Sequence, residues 1–150
     1  METLFQISGI FVLPFWFLMI VLPNWKVTLR LLKSPFVIIA PVIAYVILVL
    51  PQIVTLLPKV MGPKLPEIAA LLGTPEGATI GWMHYLAFDL FVGRWTYLDS
   101  RERGVSPWLM APILFFILML GPLGFLLYMV VRLAWIRINH KEYEAARSNS

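Results

Sequence analysis

Apolar residues along this chain are grouped in four blocks, separated by short polar connections. The blocks cover about 4–22, 35–57, 77–98 and 107–131, and a polar tail follows over 132–150. A helix needs about 20 apolar residues to cross the roughly 30 Å of hydrocarbon in a bilayer. The pattern therefore predicts an all-α fold, an integral membrane four-helix bundle that forms a single transmembrane domain over 1–150.

Prolines modify this picture, because they lie inside three of the four blocks. The first block contains Pro14, the second Pro41 and Pro51, and the fourth Pro112 and Pro122, whereas the third has none. An interior proline removes a backbone hydrogen bond and bends its helix. Three bent helices around one straight helix would leave a cavity, although prolines are also common in membrane helices generally.

The longest connection, between blocks two and three, contains its own helical signal. The segment PEIAALLG at 66–73 has a proline at its first position and a glycine as a stop. It is too short to cross a bilayer, so we expect a short interfacial helix. It could be a capping helix of the loop or a lid that dips into the membrane.

Composition supports a membrane protein and excludes several kinds of site. The chain is 60% hydrophobic and 13% charged, against about a quarter charged in soluble domains. Its net charge of +4 comes from residues outside the blocks, which indicates contact with lipid headgroups and no nucleic acid. The absence of cysteine and the presence of only two histidines predict no disulfide, no metal site and no cofactor.

Orientation in the membrane is not decided by the basic residues. Four spans would place both termini on one side. Six cations would then lie on each side: Lys26, Arg30, Lys33, Arg94, Arg101 and Arg103 against Lys59, Lys64, Arg132, Arg137, Lys141 and Arg147. The three bases directly after the first block favour termini outside.

The third block carries the polar residues that ask for an explanation. His84, Asp89 and Arg94 lie within it, and a charge at that depth costs roughly 3 kcal/mol. At 100° per residue they fall on three different faces, so each needs a partner outside its own helix. Blocks two and three would run antiparallel, so residues at equal depth face each other, and this pairs Asp89 with Tyr45 and His84 with Gln52. Arg94 could snorkel to the membrane surface or neutralise Asp89.

These pairings predict a site that opens toward the 58–77 loop. We expect His84, Asp89 and Arg94 to be catalytic. The predicted substrate-binding residues are Tyr45, Gln52, Trp82, Tyr85, Phe88, Trp95 and Tyr128, with Tyr128 in the same half of the membrane as His84. The alternative is that the polar groups only join helices by hydrogen bonds. Asp99 and Arg103 are expected in a solvated turn, unless their i,i+4 pairing extends the third helix.

The segment HYLAFDLFVGRWTYLDSRERGVSPWLMAP at 84–112, with GPLGFLLY at 121–128, resembles the abscisic-acid-deficient-four-like family of small four-span membrane proteins. The start of the chain resembles neither a signal nor a transit peptide. We therefore expect a bacterial or cyanobacterial member of the family, in a plasma or thylakoid membrane.

The resemblance implies a role in carotenoid (xanthophyll) metabolism, as in neoxanthin synthesis. Turning an epoxide end group into an allenic alcohol is an isomerisation that needs an acid and a base but no redox cofactor. Our hypothesis is Asp89 as acid and His84 as base, with Arg94 tuning Asp89. The alternatives are a carotenoid-binding or accessory subunit and a small proton-coupled transporter. Expected partners are membrane lipids, a carotenoid or other long apolar ligand, and a second copy or another membrane protein.

Overall fold

The computed structural model describes the backbone of residues 1–148 and the side chains of residues 1–138, and this part of the chain is helical without any strand. Eight α-helices follow one another: α1 (Glu2–Ser8), α2 (Leu13–Val21), α3 (Lys26–Lys33), α4 (Phe36–Val49), α5 (Ile53–Met61), α6 (Leu65–Leu72), α7 (Pro75–Glu102) and α8 (Pro107–Ser148). Short 3₁₀ turns at Gly9–Phe11 and Leu50–Gln52 join α1 to α2 and α4 to α5. The all-α prediction is confirmed.

Three stretches are long and apolar enough to cross a membrane: Glu2–Val21, Phe36–Met61 and Pro107–Ile138. The first two are interrupted by the 3₁₀ turns, one just ahead of Pro14 and the other around Pro51. Proline cannot donate the helical hydrogen bond at its position, so the helix tightens or bends there. The helices are thus interrupted next to Pro14 and Pro51, whereas Pro41 lies inside the uninterrupted helix α4.

Helix α7 is the central element and is continuous over 28 residues. The Thr74 hydroxyl caps its start by accepting a hydrogen bond from the Gly77 amide at 3.0 Å, as the Thr-Pro pair suggests. The helix packs against α1, α2, α3, α4, α6 and α8. At 1.5 Å per residue it is about 42 Å long. Its polar residues make it less apolar than the three stretches named above, and it packs against helices from all three.

The fourth block does not form one spanning helix, because α8 folds back on itself. Leu120 and Gly121 have non-helical backbone angles (φ −139, ψ 34 and φ 11, ψ −80). A Cβ on Gly124 would overlap the backbone of Phe116 and Ile117. Residues that far apart in a continuous helix would be separated by roughly 10 Å. Residues 107–138 are therefore a helical hairpin with its tip at 120–122, and the second half begins at Pro122.

The second half of this hairpin runs beside α7 in the same direction. Gly121 lies at Asp89, and Phe125 lies at Trp95 with ring centroids 5.8 Å apart. Further along, Arg132 bonds Asp99 at 2.9 Å. The first half is about 20 Å long, and the apolar part of the second half, 122–131, is about 15 Å long, so neither provides enough apolar helix to cross a bilayer alone. Four spanning helices are therefore not confirmed: the fourth block is a hairpin that reaches the middle of α7.

The hairpin also changes which residues share an end of the molecule. We call residues 22–34, 99–106 and 132–138 the basic end; it is joined by the Arg101–Asn24 and Trp135–Arg103 hydrogen bonds. The N-terminal end contains residues 1–5 and 58–76, where Phe5 packs on Trp82. The N-terminus and residue 138 thus lie at opposite ends of the described part of the chain, whereas four spanning helices would place them at the same end.

The tie between basic residues disappears with this arrangement. Among residues 1–138, the cations at the basic end are Lys26, Arg30, Lys33, Arg94, Arg101, Arg103, Arg132 and Arg137, and those at the N-terminal end are Lys59 and Lys64. Lys141 and Arg147 lie outside the described side chains. Positive loops face the cytoplasmic side of a membrane as a rule, so the distribution now favours the basic end on that side.

Two short helices complete the fold. Helix α6 (Leu65–Leu72) ends before Gly73 and confirms the short helix predicted between blocks two and three; it packs along α7. Helix α3 (Lys26–Lys33) was expected only as a basic connection. Its Thr28 hydroxyl donates to the Leu22 carbonyl oxygen at 2.8 Å, which folds this segment back against the end of α2.

Candidate functional site

Arg94 joins α7 to the end of α3. Its Nε donates to the Leu32 carbonyl oxygen at 2.6 Å and one Nη donates to that of Lys33 at 3.0 Å. The last carbonyls of a helix have no partner within it, and a guanidinium fork satisfies two of them together. Arg94 therefore acts as a C-terminal cap of α3, and no ion pair joins it to Asp89 among the described side chains.

Asp89 lies at the hairpin tip. Its carboxylate contacts the backbone of Gly121, where the oxygen occupies the space that a Cβ would need. The second half of the hairpin starts next to it at Pro122, so the carboxylate lies near the positive end of that half-helix. The predicted pairing of Asp89 with Tyr45 is therefore wrong.

Tyr45 instead contacts His84, with ring centroids 5.5 Å apart and the rings edge to face. The other predicted pair is also wrong, because Gln52 donates to the Glu76 carboxylate at 2.8 Å. The cause is the docked α3: since Arg94 holds its end, α4 starts at Phe36 level with Arg94 and not with the end of α7. Pairing between α4 and α7 is thereby displaced by about five residues, or roughly 7.5 Å.

His84, Phe88, Phe91 and Trp95 recur at helical spacing along α7 and form an exposed aromatic face. Phe88, Phe91 and Trp95 are 58%, 49% and 37% exposed, and His84 stacks on Phe88 with centroids 4.7 Å apart. Two apolar cavities of about 260 and 240 Å³ adjoin at Phe91. Their lining residues are Ile38, Val42, Ala87, Phe88, Phe91, Val92, Trp95 and Phe125. We call this continuous surface the aromatic groove.

Each end of the aromatic groove has polar groups. At one end lie the imidazole of His84 and the phenol of Tyr45. At the other, Trp95 is contacted edge-on by Tyr128, at 5.8 Å between centroids, and the guanidinium of Arg132 lies 5.9 Å from its ring centroid. From His84 to Trp95 the groove follows α7 for about 16 Å. It is therefore an elongated apolar surface with polar groups at both ends.

Asp99 organises the polar cluster at that second end. It accepts hydrogen bonds from Arg103 at 2.8 and 3.1 Å, from Arg132 at 2.9 Å and from the Tyr128 hydroxyl. Burial raises the pKa of Asp99, but these hydrogen bonds outweigh it and the pKa lies below its ordinary value. Asp99 is thus an ionised anchor that attaches the hairpin to α7, and it is unsuited to act as a general acid.

This cluster is what the sequence interpretation missed. The i,i+4 spacing of Asp99 and Arg103 was the available signal, and their pairing within α7 confirms that α7 extends past the third block. Tyr128 was expected level with His84. That placement is wrong, because the fold-back at Gly121 carries Tyr128 to the basic end.

The remaining predicted ligand contacts lie outside the aromatic groove. Trp82 packs against Phe5, with ring centroids 5.4 Å apart. Tyr85 is 60% exposed and its ring is 6.3 Å from that of His84. Of the residues predicted to bind substrate, Phe88 and Trp95 line the groove, and Tyr45 and Tyr128 lie at its two ends.

Comparisons with known proteins identify relatives of this chain. "Protein ABA DEFICIENT 4, chloroplastic" of Arabidopsis thaliana is 28% identical over 111 residues, which are 70% of this chain and 50% of the plant protein. The chain thus spans about half the length of that curated relative. No solved structure matches this chain. The sequence profile of the ABA DEFICIENT 4-like family matches residues 3–128, through α7 and past the hairpin tip, and the chain therefore belongs to this family.

Proposed function

We propose that this membrane protein acts in carotenoid metabolism and holds a carotenoid along the aromatic groove. The observation that carries the proposal is the exposed stripe His84–Phe88–Phe91–Trp95, bordered by two adjoining apolar cavities. A polyene is long, stiff and apolar, so it would lie against such a face with little loss of conformational entropy. Membership of the ABA DEFICIENT 4-like family supports the ligand class.

The finer proposal is that the chain isomerises an epoxide end group of the bound pigment. An acid protonates the epoxide oxygen as its C–O bond breaks, and a base removes a proton from the adjacent polyene carbon. No electrons are gained or lost, so the step needs no oxidant or reductant. His84 and Tyr45 lie together at one end of the groove, and we assign them as the candidate base and hydroxyl. Asp89 does not line the groove, and we propose a positioning role for it at the hairpin tip.

Pigment binding is tested with the full chain produced in a carotenoid-producing host. The pigment that copurifies is measured by absorption for the wild type, for Phe91→Ala and for Trp82→Ala. Phe91 lines both cavities, whereas Trp82 is a comparably exposed aromatic residue on another face. We expect Phe91→Ala to lose most of the pigment and Trp82→Ala to keep it. Equal retention by the two variants would refute the groove as the binding site.

Catalysis is tested separately, by incubating purified protein with an epoxycarotenoid and separating the products. We expect His84→Gln to retain pigment and to lose turnover. Pigment retention without turnover in the wild type would favour the binding or accessory role. Proton-driven flux in carotenoid-free liposomes would favour the transporter instead.

A further inference from the structure

Helix α3 presents a stripe of basic residues at the basic end. Lys26, Arg30 and Lys33 are spaced four and three residues apart, so they lie on one face of the helix. All three are exposed, whereas Thr28 and Leu32 are buried on the side that meets the bundle. A helix with this division lies along a membrane surface with its basic face toward the headgroups.

The stripe is held in place at both ends of α3. Thr28 bonds the Leu22 carbonyl oxygen at the start, and Arg94 bonds the Leu32 and Lys33 carbonyl oxygens at the end. The three cations are therefore carried on a helix that is already docked. A ligand that binds them does not have to order the segment first.

These cations have no acidic partner among residues 1–138. The ion pairs in that part of the chain join Lys64 to Glu67, and join Asp99 to Arg103 and Arg132. Three neighbouring positive charges without counterions attract an anionic group from outside the chain. The favoured source at this depth is a lipid headgroup of the surrounding leaflet.

An apolar groove next to α3 provides room for the rest of a lipid. It has a volume of about 220 Å³ and lies between Trp25 and Trp108, which are 50% and 88% exposed. Ile20, Val21 and Ala111 also line it. Exposed tryptophans mark the membrane–water interface. The headgroup cations and the apolar groove thus lie at the same end of the molecule, and Trp25, which lines the groove, directly precedes Lys26.

We propose that this surface binds an anionic phospholipid of the leaflet at the basic end. The phosphate and acidic headgroup contact Lys26, Arg30 and Lys33, and an acyl chain lies in the groove between Trp25 and Trp108. This site is separate from the aromatic groove, and neither depends on the other.

The test uses the full chain purified in detergent with added phosphatidylglycerol or phosphatidylcholine. Bound lipids are counted by native mass spectrometry, and the thermal midpoint is followed by tryptophan fluorescence. The test variant is Lys26→Gln/Arg30→Gln/Lys33→Gln. The control, Lys59→Gln/Lys64→Gln, removes two cations at the other end, and circular dichroism checks that both remain helical.

We expect wild type and control to bind phosphatidylglycerol in preference to phosphatidylcholine. Affinity should fall about fivefold for each basic residue removed from α3, and Lys26→Arg/Lys33→Arg should keep it. Equal binding of the two lipids, or an unchanged preference in the triple variant, would overturn the proposal. So would an equal thermal shift with inorganic phosphate, since the acyl chain would then contribute nothing.

Discussion

The carboxylate of Asp89, in the middle of α7, lies directly against the backbone of Gly121 at the tip of the α8 hairpin. The contact requires a residue without a Cβ at the tip and a carboxylate at one position of α7. It accounts for the charged residue at the centre of the third apolar block, because the start of the second half-helix presents backbone dipoles to it. Asp89 thus marks where the fourth block turns back.

Replacement of Gly121 by alanine tests this contact. The new methyl group would overlap the Asp89 carboxylate, so we expect a loss of about 1–3 kcal/mol in unfolding free energy. Gly9→Ala is the control, because its nearest neighbour atom would be 3.8 Å away. Combining Gly121→Ala with Asp89→Ala should restore part of the loss, as expected for residues in contact. Purely additive effects would contradict the contact.

The hairpin predicts which residues lie on the same side of the membrane. Single-cysteine labelling can test this, because the chain contains no cysteine of its own. Single cysteines are introduced at Ser106, Arg137 and Gly62 and labelled with a membrane-impermeant maleimide in sealed vesicles. We expect Ser106→Cys and Arg137→Cys to be labelled from the same side, and Gly62→Cys from the other. A fourth crossing would instead give Arg137→Cys and Gly62→Cys the same accessibility.

Much of the helical content could be predicted from the sequence, and the register between helices could not. Block lengths indicate where apolar helices form, and helical spacing correctly places His84 and Asp89 on different faces with different partners. The depth at which Tyr45 meets α7, however, depends on α3 docking under Arg94, a tertiary contact between distant positions. The reversal at Gly121 was hidden because both halves of the block are apolar, and hydropathy is the same for a straight helix and a hairpin.

Replacement of Arg94 tests its role as the cap of α3. Arg94→Met leaves the Leu32 and Lys33 carbonyls without their partner, and we expect a loss of about 1–3 kcal/mol. Hydrogen exchange should increase within residues 26–33 and not around Asp89. Arg94→Lys should recover only part of the stability, because an ammonium group cannot reproduce the guanidinium fork.

A second Arg94 experiment separates capping from charge neutralisation. If Arg94 served mainly to neutralise Asp89, the double variant Arg94→Met/Asp89→Asn would be more stable than Arg94→Met alone. We expect no such recovery, since the guanidinium bonds α3. Recovery of the wild-type midpoint would show that the capping bonds contribute little.

The ionisation of Asp99 determines how the stability of the contact between the hairpin and α7 depends on pH. Because the pKa of Asp99 is lower in the folded chain than its ordinary value, its contribution to stability is fully present above an ordinary pKa of about 3.9. It is lost as pH falls below that value toward the folded pKa. Asp99→Asn should remove about 2 kcal/mol at neutral pH and abolish this acid dependence, as followed by tryptophan fluorescence between pH 7 and pH 2. Glu102→Gln, an exposed change one turn on, should keep the wild-type profile. A profile for Asp99→Asn that parallels the wild type would show that other carboxylates govern the acid transition, and that the bonds from Arg103 and Arg132 do not hold the hairpin to α7.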